Sequence, residues 1–291
     1  MPLPKVLIIG AMKAGTTSLY MDVAGHPDAF MAQEKEPHAL TDDGVLTSEG
    51  RSAYEALYAL ARPNALCCDA STGYSKRPDC EGVLERAIRT LPAGFKVIYL
   101  VRHPIERIVS QHHHEHFAGL VGPSIDEEVR RHPRYIQYSR YAYQLAPWLE
   151  KLGNERVCVV RFEDYASHRL ETVGTVYDFL GLSRQFDAVS GAPIYNKSQG
   201  KPLKGWFWQR VRRGSVYRRW IRPYTAPELR LALQQRLLPP AVATLAAPSA
   251  QTVDFLRDAL RDDVMELGSM LKRPMLWDGF EAPAAQGSQL R

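Results

Sequence analysis

The chain has 291 residues, 45% of them hydrophobic and 24% charged, and its 37 Lys and Arg against 32 Asp and Glu leave a formal net charge of +5. This is enough apolar material for one large core, whereas no apolar run approaches the ~20 residues that a membrane-spanning helix needs. The four cysteines, Cys67, Cys68, Cys80 and Cys158, lack C-x-x-C spacing and read as reduced packing residues rather than a disulfide framework.

In chain order, residues 5–9 form an apolar, β-branched run of the kind found in a parallel strand covered on both faces. Gly10 and Gly15 then bracket a turn where backbone amides converge, and Thr16 and Thr17 open a helix expected over 16–25, adding hydroxyls to its positive end. A Walker A loop reads G-x-x-x-x-G-K-[ST], with its lysine directly after the second glycine. Here Thr16 holds that position and Lys13 lies inside the loop, which argues against a site for a nucleoside triphosphate and its Mg²⁺. The plain alternative is an ordinary strand-to-helix turn with a solvated lysine.

Further strands are predicted at 66–69, 96–101 and 157–162, and helices at 104–117, 140–152 and 168–180. Gly25 with Pro27 and Gly181 act as helix stops. The alternation defines an α/β class with a mostly parallel sheet flanked by helices. At the end of the 96–101 strand, Arg102 precedes Pro104, which suits a first helical position, and Ser110 follows two turns into the helix. Ligands of open α/β sheets bind beyond the carboxyl ends of the strands, so Arg102 is read either as a phosphate ligand or as a salt-bridge partner. On that helix His112 and His116 share a face, but H-H-H-E-H is not a metal motif of the H-E-x-x-H type, so no metal site is expected.

From 197 to 222 nine Lys and Arg occur with no acidic residue and with interleaved Trp and Tyr. This stretch is read either as a helical hairpin with solvated arginines or as a surface, through 204–222, for anionic lipid, an acidic glycan or a charged co-substrate. Nucleic acid is not expected as a partner, because no helix-turn-helix, RNP or zinc-finger signature accompanies the charge. Val253, Leu256, Leu260, Val264, Leu267 and Leu271 recur at helical spacing and predict a core-facing helix within a helical part, 225–273. The division expected is one domain over 1–281, its core at 5–205, and a tail at 282–291. No signal peptide precedes the first strand, so a cytoplasmic location is expected, with a peripheral contact at the inner membrane surface left open.

Several motifs in order resemble the sulfotransferases that use 3′-phosphoadenosine 5′-phosphosulfate (PAPS), in particular the heparan-type carbohydrate enzymes and their bacterial relatives. They are the loop at 10–17, Lys35-Glu-Pro-His38, the strand and helix at 100–110, Arg161-Phe-Glu-Asp164, and Phe179-Leu-Gly-Leu182. The resemblance implies a P-loop-like three-layer fold. It also implies that Lys13, Ala14, Gly15, Thr16, Thr17 and Ser18 hold the 5′-phosphosulfate and that Arg102 and Ser110 hold the 3′-phosphate. Lys197, Gly200 and Lys201 would close over the nucleotide, whose product form is adenosine 3′,5′-bisphosphate, and no metal is required. Lys13 would stabilise the leaving phosphate, while Glu36 would be the general base with His38 as runner-up. The acceptor implied is a hydroxyl on a carbohydrate, glycolipid or other small molecule. Where some relatives carry an acidic-lysine pair, this chain has Asp69-Ala70, so a second lysine is either missing or supplied by Lys35, and Asp69 and Tyr74 are read either as acceptor contacts or as a buried strand-end hydrogen bond. A P-loop small-molecule kinase and a non-catalytic basic adaptor at membrane or nucleic acid stand as alternatives.

Overall fold

A computed structural model describes residues 2–32, 34–187, 189, 245–273 and 276–281. Five strands, β1 (Val6–Gly10), β2 (Ala29–Met31), β3 (Leu66–Ala70), β4 (Lys96–Val101) and β5 (Val157–Arg161), form one sheet in the order β2-β3-β1-β4-β5, every pairing parallel. All five residues of β1 are buried, as expected of a central strand with helices on both faces. The helices are α1 (Thr16–Ala24), α2 (Ser48–Ala56), α3 (Val83–Thr90), α4 (Pro104–Phe117), α5 (Ile125–Arg131), α6 (Arg134–Gln137), α7 (Tyr141–Leu152), α8 (Phe162–Ser167), α9 (Arg169–Leu180) and α10 (Ala250–Met270).

On one face, α1 is tied to α8 and α9 through buried Asp22, which accepts from Tyr165 Oη at 2.5 Å and from Arg169 Nε at 3.1 Å. On the other, α10 packs along α7 and α4, burying Leu256, Leu260, Val264 and Leu267. The expected amphipathic helix is therefore a core element. Its Asp263 also accepts from the Ala142 and Tyr143 amides, each at 3.0 Å, and so caps the start of α7. The cysteines are free thiols, with Cys67 and Cys68 buried in β3. Among the described residues no helix is long and apolar enough to cross a membrane.

Several elements went unread in the sequence: β2 and helices α2, α3, α5, α6 and α8. The strand predicted to reach 162 stops at Arg161, because Phe162 opens α8. The chain leaves β1 toward β2 and β3 but leaves β4 toward β5, so a crevice opens beyond the carboxyl ends of β1 and β4.

Candidate active site

At the end of β1 the register with β4 slips between Ile8 and Gly10, and this bulge re-aims the chain into the loop that precedes α1. Gly10 has φ 148°, and a Cβ there would fall 2.1 Å from Ser75 Oγ. Gly15 caps α1 at φ 93° without any side-chain cap, and a Cβ there would lie 2.6 Å from the Phe162 ring. The loop thus leaves the positive end of α1 uncapped by side chains, a ready anion site. Lys13 and Thr17 are half-buried, and Ala14, Thr16 and Ser18 are buried, so the inner residues supply backbone and shape to the cradle. From beneath, Arg107 is completely buried and donates to Met12 O at 3.4 Å, Ser139 Oγ at 2.7 Å, Gln111 Oε1 at 2.9 Å and Tyr135 O at 2.9 Å. Its burial pushes its pKa down, and the four acceptors repay part of that desolvation.

Arg102 leaves the end of β4 with its guanidinium 4.9 Å from the Phe162 ring centroid and 2.8 Å from Glu106. The salt-bridge reading of Arg102 is therefore the one present in the structure. The ion pair is to an exposed carboxylate, and such pairs are weak and exchangeable. Phe162 links the loop before α1 to the end of β4, touching Gly15 on one side and Arg102 on the other, while Glu163 accepts the His103 amide at 2.7 Å. Ser110 is half-buried on α4.

The third segment approaches from the β3 side. Glu36 accepts from Lys35 Nζ at 2.7 Å and Thr72 Oγ1 at 3.1 Å, and its Oε2 lies 3.4 Å from His38 Nε2. Burial alone would raise its pKa, but the hydrogen bonds from His38 and Lys35, the Lys35 charge and Thr72 outweigh it and hold the carboxyl at about 2. The loop is held by a buried hub. Asp69, fully buried, accepts from Tyr54 and Tyr74 at 2.7 Å each and from Ser71 at 2.8 Å; Ser71 Oγ in turn accepts the His38 amide and Tyr74 Oη the Leu40 amide. Asp69 and Tyr74 are thus positioning residues, the strand-end reading, with burial raising the carboxyl's pKa.

Left-handed backbone at non-glycine residues is uncommon. Among the described residues it occurs at five positions, and three of them are Lys13 (φ 70°), Glu36 (φ 59°) and His38 (φ 55°). Such conformations cost on the order of 1–3 kcal/mol each and gather at functional sites.

Other expectations land elsewhere. His112 Nε2 and His116 Nδ1 are spent on the Gly122 and Val121 carbonyls, at 3.0 and 3.1 Å, closing the turn after α4, while burial, then His116 and Lys13, lower the pKa of the neighbouring His113. Lys197, Gly200 and Lys201, the segment 197–222, residues 225–244 and the tail 282–291 lie outside the described residues. Arg107, Thr72 and Lys76 were not singled out in the sequence. A signal existed for Arg107 alone, an arginine on the helix face that carries Ile108, Gln111 and Glu115.

Comparison with known proteins defines the family. A family model described as the sulfotransferase family matches residues 35–187, more than half of the chain, and the chain belongs to that family. Its relatives include human heparan sulfate glucosamine 3-O-sulfotransferase 6, 26% identical over 68% of this chain and 60% of the relative. Another is the mouse bifunctional heparan sulfate N-deacetylase/N-sulfotransferase 1, 24% identical over 72% of this chain and 25% of the relative. The chain therefore spans about 60% of the first and a quarter of the second. A solved sulfotransferase from Alicyclobacillus acidocaldarius shares the fold, with a TM-score of 0.64 at 21% identity over 94% of this chain and 98% of that one.

Proposed function

We propose that this protein transfers the sulfuryl group of PAPS to a hydroxyl of a carbohydrate, glycolipid or other small-molecule acceptor. The observation that carries the reading is Thr72, at the end of β3, donating to Glu36. That bond sets a carboxylate at the same sheet end as the phosphate loop on neighbouring β1. Relatives named for 3-O-sulfation of heparan sulfate glucosamine support a sugar hydroxyl as the acceptor class.

The loop fits the donor's 5′ end: Gly15 has no room for a side chain, α1 presents its positive end, and Lys13 supplies a cation. Arg102, stacked on Phe162, has donors to exchange from Glu106 to a 3′-phosphate, and Ser110 is a hydroxyl candidate beside it. As the sulfur–oxygen bond to the 5′-phosphate breaks, negative charge grows on the departing phosphate, and Lys13 with the α1 amides stabilises it. Glu36, ionised at neutral pH, accepts the acceptor's proton. Its low pKa makes it a weak base until the Lys35 hydrogen bond loosens, so acceptor binding at Lys35–Glu36 tunes the step. No metal enters this scheme.

The test is incubation with labelled PAPS and an extract of the source cell, followed by mass identification of the product. A product heavier by one SO₃ unit is expected, and label released only as inorganic sulfate would contradict the reading.

A further inference from the structure

Lys76 is half-buried and follows the single helical turn Thr72–Ser75. That turn joins the two halves of the site, because Thr72 donates to Glu36 at 3.1 Å while Ser75 Oγ donates to Ile9 O at 2.8 Å, under the root of the phosphate loop. The Lys76 ammonium sits 5.8 Å from the Tyr138 ring centroid, and among the described residues it makes no ion pair within 4.0 Å. Burial lowers its pKa, Glu36, Cys80 and Glu115 work in the opposite direction, and Arg107, beneath the loop, repels it. Lys35, by contrast, is committed to Glu36 at 2.7 Å. A half-buried ammonium with no carboxylate at ion-pair distance is costly unless an anion repays it.

The geometry points to Lys76 as the catalytic cation that meets the non-bridging oxygens of the transferring sulfuryl group. In-line transfer requires the sulfur to sit between the leaving phosphate oxygen, held at the Lys13 loop, and the acceptor oxygen at Glu36. Residues 72–76 span that gap. The acceptor oxygen's lone pair forms the new bond to sulfur, the old sulfur–oxygen pair returns to the 5′-phosphate, and the acceptor proton passes to Glu36. Lys76 keeps its protons and offsets charge on the SO₃ oxygens throughout. This assignment rests on the sulfotransferase reading, and it answers the question left by Ala70: the second lysine comes from position 76 rather than 35.

The test needs no acceptor, because PAPS and adenosine 3′,5′-bisphosphate differ only in the sulfuryl group at the 5′ end. Calorimetric titration of the full chain with each nucleotide compares wild type with Lys76→Met and Lys76→Arg, with thermal unfolding as the fold control. Lys76→Met should weaken PAPS at least tenfold and leave the bisphosphate within twofold, at an unchanged unfolding midpoint. Lys76→Arg should recover most of the loss. Equal weakening of both nucleotides, or of neither, would overturn the role of Lys76 while leaving the sulfotransferase reading intact. A wild-type protein that binds neither nucleotide would sink both.

Discussion

Lys13, Glu36 and His38 adopt a backbone that side chains rarely tolerate, and the hub around Asp69 provides the packing that holds the last two in place. The consequence for Glu36 is a carboxylate whose folded value, about 2, lies below its ordinary 4.5. Its stabilising contribution is therefore present above about pH 4.5 and is lost as pH falls through about 2. In the rate profile, protonation of Glu36 in the free enzyme sets no acid limb above about pH 4. Lys35→Ala removes a hydrogen bond and a charge, so the Glu36 pKa rises and the acid limb of kcat/KM moves to higher pH; a profile superimposable on wild type would contradict this. Asp69→Asn leaves the buried tyrosine and serine hydroxyls short of acceptors, and should lower the unfolding free energy by about 1–3 kcal/mol, read by denaturant titration. The positioning role adds that kcat falls further than donor affinity does. The sequence offered Glu36 and His38 through the family resemblance and Asp69 with Tyr74 as a strand-end hydrogen bond; what it could not show is Tyr54, fifteen residues before Asp69, which only packing brings near.

At the level of elements, the strand–loop–helix unit of β1 and α1 was legible because its signals are local: an apolar run, two glycines and hydroxyls at the helix start. What the spacing could not reveal is that Phe162, opening α8, packs against Gly15. Gly15→Ala forces a Cβ to 2.6 Å from that ring in a left-handed conformation, so it should cost about 1–3 kcal/mol and weaken adenosine 3′,5′-bisphosphate in the same titration that measures Lys76. A variant with wild-type stability and affinity would show that α8 does not brace the loop. The junction of α7 and α10 offers a second test. Burial lifts Asp263 from its ordinary 3.8 to about 6, against the pull of the Tyr143 and Ala142 amides and Arg140. A raised folded value means that its contribution is fully present below about pH 4 and is lost as pH rises through about 6. Asp263→Asn should flatten that part of the stability profile, and Asp263→Ala should cost about 1–2 kcal/mol through the lost cap on α7. Short elements escaped the sequence for a physical reason: β2 has three residues, and α2 buries only Tyr54, too little for a periodic signal.

Across the whole molecule, the parallel sheet was legible because its central strands are buried on both faces and read as continuous apolar runs, and the order β2-β3-β1-β4-β5 sets the Lys13 loop, Arg102 and Glu36 at the carboxyl end of the sheet. Family membership and fold are those of sulfotransferases, and the proposal that the Lys13 loop takes a phosphosulfate rather than a triphosphate is tested on the whole protein. Adenosine 3′,5′-bisphosphate at about a hundred times its Kd should add about 2.7 kcal/mol to the unfolding free energy, and ATP with Mg²⁺ should add little. The reverse ranking would favour a kinase. The most direct test of the central claim, a carboxylate base facing a phosphosulfate cradle, is single-turnover transfer from labelled PAPS to the acceptor found in the cell extract, with saturating donor, comparing Glu36→Gln and His38→Ala. Glu36→Gln should lose about 10²-fold or more in rate with unchanged donor affinity, while His38→Ala keeps most of its activity; near-normal transfer by Glu36→Gln with a dead His38→Ala would contradict the account.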